Sequence, residues 1–241
     1  MAERRILAVP WPILALLGLA LVAQIALSAW QPRPAARAVD LPPPPSSPAL
    51  HVLSLGDPIP LAQVMTLYLQ AFDNQPGVSV PFAKLDYGRV QTWLERILDL
   101  DPRGQYPLLM ASQLYAQVPV EGKQRQMLEF VYREFLEDPN RRWPWLAHAA
   151  IMARHRLHDL PLALRFATAL SAQATGPEVP HWARQMHIFF HEDMGEYETA
   201  RVLRGGLLAS GTVTDPHEMR LLFDRLNELN AAEKSSSMSK K

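Results

Sequence analysis

The sequence predicts an all-α fold: an α-solenoid of about four helical hairpins and a capping helix, preceded by one transmembrane helix. Three observations support this fold class. A turn-and-helix pattern recurs four times, Asp-Pro or Gly-Pro pairs recur in phase with it, and a long apolar run lies near the N-terminus. Patterns that repeat every 20 to 50 residues, roughly, are typical of stacked supersecondary units rather than of one ordinary globular core.

The recurring pattern is a small or acidic turn, then an aromatic or long residue, then an apolar residue. Its four copies end at Val90, Met127, Ala163 and Ala200, so their spacings are 37, 36 and 37 residues. The second marker is a set of dipeptides that we expect where helices end: Asp57-Pro58, Asp101-Pro102, Asp138-Pro139, Gly176-Pro177 and Asp215-Pro216. Both markers predict one hairpin per period.

The copy Gly195-Glu196-Tyr197-Glu198-Thr199-Ala200 is similar to the turn and second-helix start of a tetratricopeptide repeat. Residues Tyr87 to Pro102 are similar to a whole second helix of that family. The chain therefore resembles the tetratricopeptide family over residues 57–229, although its repeats are longer, and His148 and Arg184 stand near positions that are usually small or apolar. The resemblance implies a curved stack of hairpins, but a fold analogy carries no function by itself.

Composition narrows the classes of function. The 241 residues include 24 basic and 24 acidic side chains, so no net charge attracts the chain to nucleic acid, and we expect no nucleic-acid partner. The chain has no cysteine, which excludes disulfides, thiolate metal sites and a cysteine nucleophile.

Residues 1–30 form the predicted membrane anchor. The stretch 6–30 holds no charged residue and is long enough to cross a bilayer core of about 30 Å. A cleavable signal peptide is the alternative, because Ala26-Leu27-Ser28 offers small residues for cleavage, but a signal core usually spans only about 7 to 15 residues. We expect a retained single-pass anchor in a bacterial cytoplasmic (inner) membrane. Arg4 and Arg5 then stay in the cytoplasm and the repeat domain is periplasmic.

Two segments flank the predicted repeat domain. Residues 31–56 are rich in proline, which predicts an extended, semi-rigid spacer. The alternative is that Leu41-Pro42-Pro43-Pro44-Pro45 is a ligand for an aromatic-lined groove. Residues 230–241 have too little apolar content to fold, and we predict a disordered tail.

Within residues 57–229, helical spacing of apolar residues predicts the elements in order. Gly205-Gly206 lies within the second helix of the last hairpin and predicts either close packing against the capping helix, which we favour, or a helix that breaks there. The expected hairpins are Leu61–Phe72 with Tyr87–Leu98, Pro107–Val118 with Lys123–Glu137, Pro144–His155 with Leu160–Ala174, and Pro180–Met194 with Tyr197–Ala209; the capping helix is His217–Leu229.

The sequence contains few residue patterns that are typical of catalytic or metal-binding sites. His187 and His191 are four residues apart, so they share a helix face at a spacing that metal sites use. A metal-binding enzyme or sensor built on this pair is therefore the alternative function. The zinc-protease motif needs glutamate after the first histidine, and Ile188 stands there. No catalytic motif and no cofactor-binding motif is found, so we expect neither an enzyme nor a cofactor.

The remaining candidates for function are surface residues on the first helices of the hairpins. Such helices line the concave face of a solenoid, and Trp and Arg are enriched where partners bind. The predicted partner-binding residues are Gln113, Gln117, Trp143, Arg154 and Trp182. The sequence thus predicts a membrane-anchored interaction scaffold with protein partners, assisting assembly of a membrane or envelope complex or serving as its accessory subunit.

Overall fold

The computed structural model describes residues 10–30, 38–209 and 215–239. Over these residues the protein is mostly helical, with eleven α-helices and almost no strand, which confirms the helical fold class. The helices are α1 (Trp11–Trp30), α2 (Ser47–Leu53), α3 (Pro58–Ala71), α4 (Tyr87–Leu100), α5 (Tyr106–Leu109), α6 (Glu121–Glu137), α7 (Pro139–His155), α8 (Leu160–Gln173), α9 (His181–Asp193), α10 (Tyr197–Ala209) and α11 (Pro216–Ser239).

The described residues divide into two compact units. The first holds α1 and a small antiparallel hairpin of β1 (Asn74–Gln75) and β2 (Val78–Ser79), and the second holds α2 to α11. Among the twenty residues of α1, all of which are described, none is buried. With a mean hydropathy of 2.2, α1 is long and apolar enough to cross a membrane. The predicted span begins at Ile6, and residues 6–9 lie outside the described part of the chain.

The second unit is built by packing each helix against its neighbours along the chain. The pairs are α3 with α4, α6 with α7, α7 with α8, α8 with α9, α9 with α10 and α10 with α11. One continuous core runs through them from Leu41 to Phe190, and it includes the fully buried rings of Tyr115, Phe130 and Phe166. The predicted starts of α4 at Tyr87 and α10 at Tyr197 are confirmed.

The Asp-Pro pairs mark both ends and beginnings of helices. As predicted, Asp101 and Asp138 are the C-cap residues of α4 and α6. Pro58, Pro139 and Pro216 are the first residues of α3, α7 and α11. Asp57 Oδ1 accepts from the backbone N–H of Ile59 at 3.3 Å, which satisfies a donor that the helix leaves free. Proline suits the first helical position because its missing N–H would have no partner there. Helix α7 consequently begins at Pro139 rather than at the predicted Pro144.

The predicted helix Pro107–Val118 is not one α-helix. It consists of α5, a π-helical turn over Met110–Leu114 and a 3-10 turn over Tyr115–Gln117. The hydroxyl of Tyr87 donates to the carbonyl of Tyr115 at 2.9 Å, so a side chain of α4 satisfies a carbonyl of this irregular final turn.

The second half of the proline-rich segment belongs to the core rather than to a spacer. Leu41 and Leu50 are buried, and residues 47–53 form α2. Two side chains of α4 fasten the segment: Arg89 Nη1 donates to the carbonyl of Leu41 at 2.6 Å, and Trp93 Nε1 donates to that of Pro42 at 2.8 Å. Extended proline-rich chain has no internal hydrogen bonds, so its carbonyls are free to accept them from α4. Residues 31–37 lie outside the described part.

Two expectations about the C-terminal region differ from the structure. Helix α10 continues through Gly205 and Gly206, and a Cβ at either position would meet no described atom within 4 Å. The predicted close packing of the glycine pair is therefore wrong. Helix α11 extends to Ser239, so the backbone of residues 230–239 is helical where composition predicted a disordered tail. Favourable helix formers such as Ala231 and Ala232 continue the helix locally. Residues 240–241 lie outside the described part.

We predict that Gly205→Ala stabilises the protein. The added methyl meets open space and removes the conformational freedom that glycine has in the unfolded chain, so the free energy of unfolding should rise by about 0.5–1 kcal/mol. Chemical denaturation of the full chain in detergent, followed by circular dichroism, measures this change.

Gly195→Ala is the matched control. Gly195 has φ +77°, a left-handed conformation at the end of α9 where a Cβ is strained, so this variant should lose about 1 kcal/mol. A loss of stability at Gly205 as well would show that the glycine pair does pack closely.

Candidate functional site

A cavity with a volume of about 890 Å³ lies beside α9, α10 and α11. We call it the α9–α11 cavity. Helix α9 supplies half of the lining residues, α10 and α11 close one side, and α7 contributes one residue. The lining residues are Arg154, Pro180, His181, Trp182, Gln185, Phe189, Glu192, Asp193, Arg204, Leu221, Leu222 and Arg225.

The apolar wall of the cavity comes from one face of α9. Trp182, Gln185 and Phe189 are spaced by three and four residues, so they lie along the same face. The adjacent face carries Met186 and Phe190, which are buried in the core. Trp182 and Phe189 remain 51% and 44% exposed, and Leu221 of α11 is exposed as well. Large apolar side chains therefore stay open to solvent inside a concave surface.

A buried carboxylate ties the three helices together at the base of the cavity. Glu192 and Arg204 are both buried, with side-chain exposures of 8% and 2%. Arg204 Nε donates to Glu192 Oε1 at 2.7 Å, and its Nη2 donates to the same oxygen. From α11, Arg225 Nε donates to Glu192 Oε2 at 3.2 Å. One carboxylate of α9 thus binds both α10 and α11.

The other charges around the cavity are also matched. Arg154 Nε is 2.8 Å from Asp193 Oδ2, and Arg225 Nη1 donates to Glu228 Oε2 at 2.6 Å. The guanidinium of Arg204 lies 4.8 Å from the centre of the Phe189 ring. Among the described residues around the cavity, each arginine has a carboxylate partner. The cavity therefore presents apolar surface beside arginines that already pair with carboxylates of this chain.

The structure brings two of the five predicted partner-binding residues into this cavity, Arg154 and Trp182. Trp143 does not line the cavity, but its ring packs edge-on against that of Trp182, with centroids 5.7 Å apart. Gln113 and Gln117 are exposed, but they lie on the irregular segment after α5 and do not line the cavity.

Sequence reasoning missed Phe189, Glu192 and the residues of α10 and α11. The signal for Phe189 is its spacing from Trp182, which places it on the exposed face, whereas its neighbour Phe190 lies in the core. The sequence holds no signal for Arg204 or Leu221, because their positions depend on how α10 and α11 pack against α9.

The histidine pair is held by local contacts. His187 Nδ1 is 2.9 Å from the carbonyl of Arg184, and His191 Nδ1 is 2.6 Å from Glu196 Oε2. Burial lowers the pKa of His187, and the neighbouring His191 lowers it further. The ring centroids are 6.5 Å apart. Within the described ranges, no group of three or more His, Cys, Asp or Glu side chains converges to hold a metal ion.

Comparison with known proteins identifies no relative of this chain. No protein-family model, no curated protein and no solved structure matches the chain. The tetratricopeptide resemblance therefore rests on the sequence pattern, and any function has to be argued from the geometry.

We predict that Arg204→Met destabilises the protein strongly. It leaves the buried carboxylate of Glu192 without its main partner, and breaking one side of a buried ion pair costs about 3 kcal/mol or more. Replacing both residues, Arg204→Met with Glu192→Met, should recover most of this loss because no charge then remains buried. Chemical denaturation of the natural protein, the two single variants and the double variant measures the coupling between the two side chains.

Arg96→Met is the control for losing an arginine. Arg96 pairs with Asp99 at 2.9 Å on the protein surface, where such pairs contribute about 0.2–1 kcal/mol. If the double variant were as unstable as Arg204→Met alone, the ion pair would not be the cause of the loss.

Proposed function

We propose that this chain is a single-pass, membrane-anchored helical-repeat scaffold of the tetratricopeptide type that binds a protein partner in the α9–α11 cavity. The observation that carries the proposal is the exposed apolar wall of Trp182, Phe189 and Leu221 within a concave surface. Exposed aromatic side chains in a well-formed pocket are typical of the centre of a protein interface.

The charged side chains that line the cavity limit which kind of partner segment it can bind. Arg154, Arg204 and Arg225 already bind carboxylates of this chain, so the cavity offers apolar contact rather than a surplus of positive charge. We infer that the occupant is a peptide segment or amphipathic helix that inserts one or two apolar side chains between Trp182 and Leu221. The partner belongs to a membrane or envelope complex whose assembly or stability the scaffold assists.

The anchor supports a membrane location for the scaffold. Helix α1 is long and apolar enough to span, and Arg4 and Arg5 precede the apolar run in the sequence. We infer that α1 is retained in a bacterial cytoplasmic membrane, with the helical domain on the periplasmic side.

The sidedness is tested with a single thiol. The natural sequence has no cysteine, and the side chain of Glu121 is 72% exposed at the start of α6. We expect Glu121→Cys to react with a membrane-impermeant maleimide in intact spheroplasts as fully as in lysed cells. Labelling that appears only after lysis would place the domain in the cytoplasm and contradict the proposed orientation.

The binding surface is tested by site-specific photo-crosslinking of the full chain in its native membrane. A photoreactive amino acid at position 182 or 189 should capture the same discrete partner band. Position 197 is the control, because Tyr197 is 57% exposed but does not line the cavity. The same band from position 197, or no band from positions 182 and 189, would exclude the cavity as the interface.

Removing one aromatic side chain from the cavity tests the same surface by a change in affinity. Trp182→Ala should weaken binding of the captured partner by at least about tenfold, because hot-spot aromatics contribute more than about 1.4 kcal/mol. Tyr197→Ala should leave the affinity unchanged. Unfolding curves of both variants report whether the fold is kept.

A further inference from the structure

Helix α3 is apolar on two opposite faces. The buried face carries Ala62, Met65 and Leu69, which pack into the core. The exposed face carries a second apolar stripe with the same helical spacing: Pro60, Val64, Leu67 and Ala71. A helix at the surface of a soluble domain normally turns polar residues outward, whereas a helix that is apolar on all sides is surrounded by other apolar material.

The turn that precedes α3 is also apolar and exposed. Helix α2 and helix α3 meet at a bend of 116°, and we call residues 47–71 the α2–α3 elbow. Val52 and Leu53 at the end of α2 are exposed, and Leu55 in the bend is 94% exposed.

Leu55 is unfavourable in water for two separate reasons. Its side chain is apolar and almost fully exposed, and its backbone has φ +50°, a left-handed conformation that Gly, Asn or Asp adopt more readily. Neither conformational preference nor packing against the described residues accounts for leucine here. A side chain that enters an apolar phase outside the protein does account for it.

The elbow is also poor in charge. Between Leu41 and Phe72 the sequence holds no lysine or arginine, and Asp57 is its only acidic residue. Asp57 caps α3 through its contact with Ile59 N–H, so its carboxylate is engaged at the helix start. A surface that binds a lipid layer through apolar insertion needs few charges on its contacting side.

We propose that the α2–α3 elbow docks on the surface of a lipid bilayer, with Leu55 and the exposed stripe of α3 inserted at the acyl-chain boundary. The inference rests on the proposed membrane anchoring by α1. The covalent chain supports it, because sixteen residues separate Trp30 from Ser47, and such a segment spans at most about 55 Å when fully extended. The elbow therefore stays within reach of the membrane that α1 enters.

The composition of the elbow predicts that it contacts the acyl chains of the lipid rather than the headgroups. Because the elbow has no lysine or arginine, attraction to anionic headgroups contributes nothing, and binding depends on burying apolar side chains. Docking should therefore be as strong on neutral phosphatidylcholine as on mixtures with phosphatidylglycerol, and it should not weaken when salt is added.

Fluorescence quenching in vesicles tests the inference on the full chain. Three single-cysteine proteins, Leu55→Cys, Ala20→Cys and Glu121→Cys, are labelled with an environment-sensitive dye and reconstituted in phosphatidylcholine vesicles. Leu55 tests the elbow, Ala20 reports α1, and Glu121 is an exposed control on α6. We expect acyl-chain-brominated lipid to quench the dye at positions 20 and 55 several-fold more than at position 121. Aqueous iodide should show the opposite order.

The arms of the experiment separate the two proposals. Quenching at position 20 but not at position 55 overturns elbow docking and leaves anchoring intact. Quenching at position 55 alone overturns anchoring by α1 and supports the elbow, and quenching at neither position overturns both. A signal at position 55 that requires anionic lipid, or that falls with salt, overturns the apolar mechanism. An elbow that docks on a protein instead stays unquenched in these vesicles.

A second variant guards against effects of changing Leu55 itself. Val64→Gln with Leu67→Gln places polar groups on the exposed stripe of α3 and leaves the buried face unchanged. With the dye at position 55, this variant should lose most of the quenching by brominated lipid while its unfolding curve stays close to that of the parent. Quenching that survives the two substitutions would show that the α3 stripe does not enter the lipid.

Discussion

The second unit depends on the burial of each helix face against the next helix in the chain. Helices α2 to α5 and α8 to α10 have 14 residues or fewer. Isolated helices below about 12 to 15 residues are only marginally stable in water, so packing rather than intrinsic propensity maintains them. The core from Leu41 to Phe190 follows this chain of contacts without a break. Because each helix relies mainly on its sequence neighbours, the local pattern of apolar residues carries much of the information that the fold needs.

At the C-terminal end a polar interaction takes part in that packing. Glu192 binds Arg204 and Arg225, so a single carboxylate couples three helices. Buried ion pairs add little net stability compared with apolar packing, but they tolerate few alternative arrangements, because an unpaired charge in the interior is costly. This arrangement keeps α10 and α11 beside α9 while Trp182 and Phe189 stay uncovered. The open wall of the α9–α11 cavity is a consequence of that geometry.

The sequence was sufficient for properties that are local. Helical periodicity located α4, α6, α8, α9 and α10 closely, and the lack of charge between residues 6 and 30 predicted α1. Properties that depend on long-range contact were missed. The burial of Leu41 depends on hydrogen bonds from Arg89 and Trp93, and the cavity depends on α11 reaching Glu192. Two predictions from composition were wrong for the same reason. Proline content does not show that residues 41 and 42 accept hydrogen bonds from α4, and a pair of glycines does not show whether another helix packs against it.

The docking of Leu41 and Pro42 on α4 has a mechanical consequence. A proline-rich spacer would act as slack, absorbing a pull on the N-terminal segment before any force reached the folded helices. Because Leu41 is buried and two side chains of α4 hold the carbonyls of residues 41 and 42, that slack ends no later than Leu41. Tension that reaches Leu41 is therefore transmitted directly to α4 and the helices packed on it.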